Sequence, residues 1–259
     1  MYQRLVVAAL AIGLSASTVW AQAQPMAEEN TGPNLNIARW AEGRYDYLTI
    51  KEKRSRGTER FYMNVHADGT RTMMMWHDVA ARNAQFTVLL RVEKSFRPLE
   101  AFLNYWTQAG YKGSTRITVN GGELTAENNG PLGHLTQTVK VPDHISLGTH
   151  PISADGWHMW YVDAKAKGAQ TGATYFMDAS ADLSRPALGS LQPQQFEAFG
   201  KATVVVPAGT FDALHYRIAG ATDVWITEQD HLMIRMLNER SDREYLLMDF
   251  KTGRGGAKE

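Results

Sequence analysis

Apolar and polar residues alternate with a period of two along much of this 259-residue chain, and turn residues punctuate the alternation. Successive side chains of a strand point to opposite faces, so such runs commit the chain to antiparallel sheet with one buried face. Residues 44–50 form one run, and 61–66 and 71–76 flank Ala67-Asp68-Gly69, where Asp-Gly marks a hairpin. Residues 86–92 add a strand, and 116–119 and 123–126 flank Asn120-Gly121-Gly122, a turn that needs positive φ. In the second half, 202–206 and 210–218 make a hairpin around Pro207-Ala208-Gly209, and 223–227, 232–239 and 243–250 complete a meander. No internal repeat of fixed period is present, which disfavours propellers and solenoids.

Helical stretches are few. Residues 35–40 predict one or two turns before the first strand, 155–162 a short buried helix with Asp155 as its N-cap, and 192–199 a second short helix. Residues 99–106 fit both periods, and Pro98 before them with Tyr111 after favours a strand. The expected fold is all-β and mainly antiparallel: a curled sheet forming a partial barrel, or a sandwich, with one or two short helices. A curled sheet needs its mouth filled, and the aromatic segment 157–161 is the candidate plug.

Arg4, the apolar run 5–14 and small residues ending at Ala21 have the order of a secretory signal peptide, too short to anchor in a bilayer. Cleavage is expected after Ala21, with Ala23 as the competing position. The expected organisation is a signal over 1–21, a flexible leader over 22–33, one β domain over 34–252 and a disordered tail over 253–259. The expected location is the periplasm. With no cysteine, the domain relies on burial alone and has no thiolate for catalysis or soft metals. Lysine and arginine total 27, balanced by 27 aspartates and glutamates, which leaves no footprint for nucleic acid or an anionic membrane. No second apolar stretch reaches the length of a membrane span. Oligomeric state is not legible.

The segment Thr203-Val204-Val205-Val206-Pro207-Ala208-Gly209-Thr210-Phe211-Asp212-Ala213, followed by Val224-Trp225-Ile226-Thr227 and Leu232-Met233-Ile234-Arg235-Met236, resembles the C-terminal half of a bacterial envelope family known as domain of unknown function 3108. The resemblance implies an exported β protein in which a Pro-x-Gly-Thr-Phe-Asp hairpin leads into an aromatic strand and a closing strand pair, loosely akin to lipoprotein-carrier curled sheets. The proline-containing phrase usual after the aromatic strand is replaced here by Thr227-Glu228-Gln229-Asp230-His231. The family brings no settled catalytic residues, so none carry over.

Candidate site residues come from the chemistry of the side chains. His77 beside Asp78, and His158, are the acid–base candidates, because imidazole exchanges protons near neutrality and a carboxylate fixes its tautomer. Adjacent strand residues face opposite sides, so His77 and Asp78 need not meet. His144 and His150 are the metal candidates, although their spacing matches no zinc signature and polar loop roles are the simpler reading. Trp76, Trp106, Trp157, Trp160 and Met74 are expected to line a ligand cavity inside the sheet, where rings and thioethers adapt to apolar molecules. No organic cofactor is implied, and a metal stays open. The leading functional reading is a periplasmic binding or carrier protein for a lipophilic or aromatic small molecule. The alternatives are a lyase, isomerase or hydrolase acting on a hydrophobic substrate, and an envelope-assembly protein with a filled core.

Overall fold

The computed structural model describes residues 36–255, so the expected signal, the leader and residues 256–259 lie outside the described residues. The strands are β1 (Ile37–Leu48), β2 (Ser55–His66), β3 (Arg71–Val79), β4 (Ala84–Val92), β5 (Pro98–Thr107), β6 (Gly110–Asn120), β7 (Glu123–Gly130) and β8 (Gly133–Lys140). After them come β9 (Ile145–Gly148), β10 (Ala169–Met177), β11 (Gly189–Val206), β12 (Gly209–Ile218), β13 (Thr222–Thr227), β14 (Met233–Asn238) and β15 (Arg243–Arg254).

All fifteen strands belong to one open sheet, in the order β8-β7-β6-β5-β4-β3-β2-β1-β15-β14-β13-β12-β11-β10-β9. Neighbours run antiparallel except β9, which lies parallel to β10. The first and last strands therefore meet in the middle of the sheet, with Tyr47 opposite Tyr245 and Arg39 opposite Arg254.

The sheet rolls up because the apolar face along most of its strands must leave water. Segments that are not neighbours in the order are drawn together. The Tyr45 hydroxyl on β1 donates to the Met233 carbonyl at 2.6 Å, and the Tyr105 hydroxyl on β5 donates to the Ala179 carbonyl, just after β10, at 2.8 Å. Inward side chains from both halves then merge into one core, among them Tyr45, Phe61, Met63, Met73, Met75, Phe86, Tyr175, Phe196 and Tyr216. Truncating one of these, such as Met75 to Ala, costs about 2–5 kcal/mol.

A 3-10 segment, Ile152–Met159, enters this core as the plug, with Ile152, Ala154, Trp157 and Met159 buried. Its N-cap position is Pro151, and Asp155 sits inside the first turn, so the expected Asp155 cap is corrected. Trp157 is 3% exposed, and its indole Nε1 donates to the Asp230 carbonyl at 2.9 Å.

Two other helical expectations are corrected as well. Residues 37–40 open β1 and residues 192–199 lie within β11, because each stretch is paired on both sides, and ladder pairing overrides weak helical preference. Residues 99–106 form β5, as the flanking residues indicate. No helix among the described residues is long and apolar enough to cross a membrane.

Strand parity also corrects the expected lining. On β3 the inward residues are Met73, Met75 and His77, which leaves Met74, Trp76 and Asp78 on the outside. Trp76 is 45% exposed and Trp106, outward on β5, is 52% exposed. The same step of one residue that buries two methionines excludes the tryptophan. Trp160 is half-buried, with its Nε1 donating to the Ile145 carbonyl at 2.9 Å.

Candidate functional site

The two ends of the plug sit in different chemistry. At its start, Glu59 of β2 shares the inward face with Phe61 and Met63, and it is fully buried. Its Oε2 accepts from the Ile152 amide at 2.7 Å and from the Tyr47 hydroxyl. Its Oε1 accepts from the Ser153 amide at 3.0 Å and from the Ser153 hydroxyl. Burial pushes the carboxyl up to about 7 against the pull of these donors, and the same burial, with the nearby Glu59 charge, raises the Tyr47 phenol. Four donors on two oxygens saturate this group, so its role is to fasten the plug to the wall.

Beside it lies an imidazole pair. His77, opposite Glu59 in the β2–β3 register and 1% exposed, stacks on Tyr47 with centroids 4.3 Å apart. Its Nδ1 is 3.1 Å from His150 Nδ1, and His150 Nε2 is 2.5 Å from a guanidinium nitrogen of Arg82. His150 takes a φ of +84°, a left-handed backbone that an L residue adopts only when its surroundings hold it there. Burial lowers His77 to about 3, helped by the charges of Arg82 and Arg56, and lowers His150 well below the usual range. Both rings are therefore neutral near pH 7.

At the far end of the plug, His158 Nε2 is 3.2 Å from Asp155 Oδ1, while His158 Nδ1 is buried without a hydrogen-bond partner. The pair borders a cleft of about 180 Å³, whose other walls include Phe176, Phe196, Ile218 and Met236. Thr174, Gln194 and Thr222 add polar groups at its edge. The walls come from β10, β11, β12, β13 and β14, so the curl of the sheet assembles what no local sequence run displays.

The remaining candidates are dispersed. Asp78 faces outward and accepts from the Gln85 amide at 2.6 Å, so it does not meet His77. His144 stacks face to face on Tyr161, with centroids 4.9 Å apart, and borders a separate cleft of about 570 Å³ at the β9–β11 edge. The structure thus brings His150 to His77 rather than to His144. Among the described residues, no group of three or more His, Cys, Asp or Glu is placed to hold a metal ion. Met74 and Trp76 border an outer groove of about 900 Å³ with Arg44, Arg60 and Asp249. That groove is charged, with Arg44 donating to Asp249 at 3.1 Å.

Sequence reasoning passed over Glu59, Tyr47, Ser153 and Arg82. For Glu59 the signal was present: counting back by twos from Phe61, Met63 and Val65 places a carboxylate on the apolar face.

No protein-family model matches the sequence, and no curated protein matches it. In fold the chain is similar to a β-barrel-like protein of domain of unknown function DUF1849 from Brucella abortus, at TM-score 0.47 and 10% identity, covering 84% of this chain and 99% of that one. It is also similar to a DUF1089 family protein from Pseudomonas aeruginosa, at TM-score 0.41 and 11% identity, covering 68% of this chain and 87% of that one. A protein with a YmcC-like fold from Bacteroides fragilis has a TM-score of 0.26 at 10% identity, covering 85% of this chain and 97% of that one. These likenesses bring no activity with them.

Proposed function

We propose that the protein is an exported, periplasmic binding or carrier protein for a small lipophilic or aromatic molecule, which it seats in the cleft beside His158. The observation that carries this reading is the cleft of about 180 Å³ in which Phe176, Phe196, Ile218 and Met236 face a single imidazole–carboxylate pair. An apolar cavity of about 150 Å³ accommodates benzene, so the space suits one ring with a small substituent. Apolar walls would supply the affinity, and His158, held by Asp155, would orient one polar atom of the ligand. The Pro207-Ala208-Gly209-Thr210-Phe211-Asp212 hairpin and its likeness to the 3108 envelope family support an exported protein of this kind.

The same His158–Asp155 contact favours one second reading, in which the pair acts as acid and base on a bound hydrophobic substrate. Calorimetric titration with indole as the probe tests the binding reading. Saturable one-to-one binding is expected, and His158→Ala should weaken it about fivefold, the effect of one hydrogen bond worth about 1 kcal/mol. Absence of saturable binding would overturn the proposal and leave the assembly-protein reading. Native mass spectrometry of protein taken from its own compartment separates the other two. A retained apolar molecule supports carriage, whereas a chemically converted one supports catalysis.

A further inference from the structure

The outer face of the sheet holds the groove of about 900 Å³ across β15, β1, β2 and β3, four neighbours in the order. Two rows of outward side chains, set side by side by the register, form its floor. One row runs Asp249, Arg44, Arg60 and Trp76, each opposite the next. The other, two residues along each strand, runs Lys251, Glu42, Tyr62 and Met74. Neighbouring strands lie about 4.8 Å apart, so each row spans about 15 Å. The β1–β15 register shifts beneath the groove, between Arg44 and Tyr45, and a bulge of this kind bends its strand and re-aims the side chains beside it.

The two halves of this floor differ in chemistry. Toward β15 the charges hold one another: Arg44 Nε is 3.1 Å from Asp249 Oδ2, and Lys251 Nζ is 3.7 Å from Glu42 Oε1. Toward β3 stand Met74 and two rings. Tyr62 stacks on Trp40 with centroids 6.3 Å apart, and Trp76 is 45% exposed. Grouped apolar side chains left in water and rimmed by polar residues mark a recognition surface.

The lining also narrows the class of ligand. The cations Arg44, Arg60 and Lys251 are matched by the anions Glu42, Asp78 and Asp249, so the groove carries no net charge and selects neither an anion nor a cation. Across the groove β1, β2 and β3 are paired on both sides, which leaves an extended peptide no ladder to join there. What fits is a neutral molecule whose hydroxyls, each both donor and acceptor, surround flat patches of C–H. Guanidinium and carboxylate groups fixed in ion pairs offer their remaining sites to hydroxyls in set directions. The C–H patches bury on the indole and phenol faces, whose π clouds carry partial negative charge. We infer that this groove binds a neutral oligosaccharide, with Trp76 and Tyr62 under the sugar rings and Arg60 and Asp78 bonded to their hydroxyls. The groove shares no residue with the cleft at His158.

Calorimetric titration of the full chain with cellotetraose, maltotetraose and the N-acetylglucosamine tetramer tests this site, with tryptophan fluorescence read in parallel. Saturable one-to-one binding of at least one of the three is expected, with a change in emission, and the preference among them tells the linkage and the substituent. Affinity should hold as salt is raised, because no net charge is neutralised. Trp76→Ala should weaken binding at least about tenfold, and Trp76→Phe, which keeps a ring, should recover most of the loss. Arg60→Gln should weaken it about fivefold, the share of one hydrogen bond. Trp106→Ala, on a tryptophan exposed outside the groove, should leave binding unchanged. Failure of all three sugars up to tens of millimolar overturns the inference, as does affinity untouched by Trp76→Ala, a steep loss of affinity with salt, or saturable binding of tetra-alanine in their place. His158→Ala should leave sugar binding intact, so this groove and the aromatic cleft stand or fall separately.

Discussion

The short segment Ile152–Met159 meets one carboxylate at its start, Glu59, and carries another, Asp155, which holds His158 near its end, and the two do different work. Glu59 has every acceptor position occupied by the plug and by Tyr47, with no space beside it for a visitor. Asp155 holds one imidazole nitrogen, and beside the pair lies an apolar cleft. A buried acid is thus no sign of a binding site in itself. What distinguishes the ends is whether donors and acceptors close on each other or leave room among apolar walls.

The largest expected effect falls on the saturated end. Glu59→Ala removes the acceptor of four buried donors, of which only the Ile152 amide keeps another, the Tyr47 hydroxyl at 3.2 Å, and should lower the unfolding free energy by about 3–5 kcal/mol in urea titration. A loss below about 1 kcal/mol would mean that the plug is held by packing instead.

Acid should weaken the fold, although Glu59 itself works against that loss. Glu59 is raised from 4.5 to about 7, so the folded chain holds a proton there that the unfolded chain lacks, and this contribution is present at low pH and lost as pH rises through 7. His77 and His231 are lowered from 6.5 to about 3 and about 4, and His150 is lowered well below 6.5, all mainly by burial, so their contributions are present above 6.5 and lost as pH falls. Three histidines outweigh one glutamate, and each unmatched proton changes stability by about 1.4 kcal/mol per pH unit. The urea midpoint should therefore drop between pH 6.5 and 4.5, and Glu59→Gln, which removes the opposing group, should steepen that drop. An unchanged slope in the variant would contradict the assignment.

At the open end, Ile218→Trp should fill the cleft and cut indole affinity at least tenfold, about 1.4 kcal/mol, while moving the unfolding midpoint little. Undiminished affinity would place the ligand elsewhere. The smallest effects belong to the outer face. Trp76→Phe and Trp106→Phe should each change stability by less than about 0.5 kcal/mol, and each should remove an acrylamide-quenchable share of the fluorescence.

The strands and most hairpins were legible because alternation and turn residues act locally, as at Ala67-Asp68-Gly69 between β2 and β3. The inner face was only half legible. Alternation says that Met74 and Trp76 share a side, but which side is buried depends on the neighbouring strands, and there Phe61 and Val88 fall opposite Met75. The site was less legible still. His158 could be named, whereas its aromatic walls come from strands scattered between residues 169 and 238. His77 was weighed against Asp78, its neighbour in the chain, when its partner lies on a loop seventy-three positions away.

The meeting of β1 and β15 at the centre of the sheet has a consequence for synthesis. Until the last strand emerges, β1 offers one whole row of amides and carbonyls to any passing extended segment, and the two halves of the roll have no ladder joining them. The ladder between the two halves closes only once β15 is available, so a chain that lacks β15 leaves that edge of β1 open to mispairing. The adjacency of Ala38 and Gly255, bonded backbone to backbone at 2.9 Å, also means that a circular permutant fused there and opened at an outer turn would keep the ladder and could pair it early.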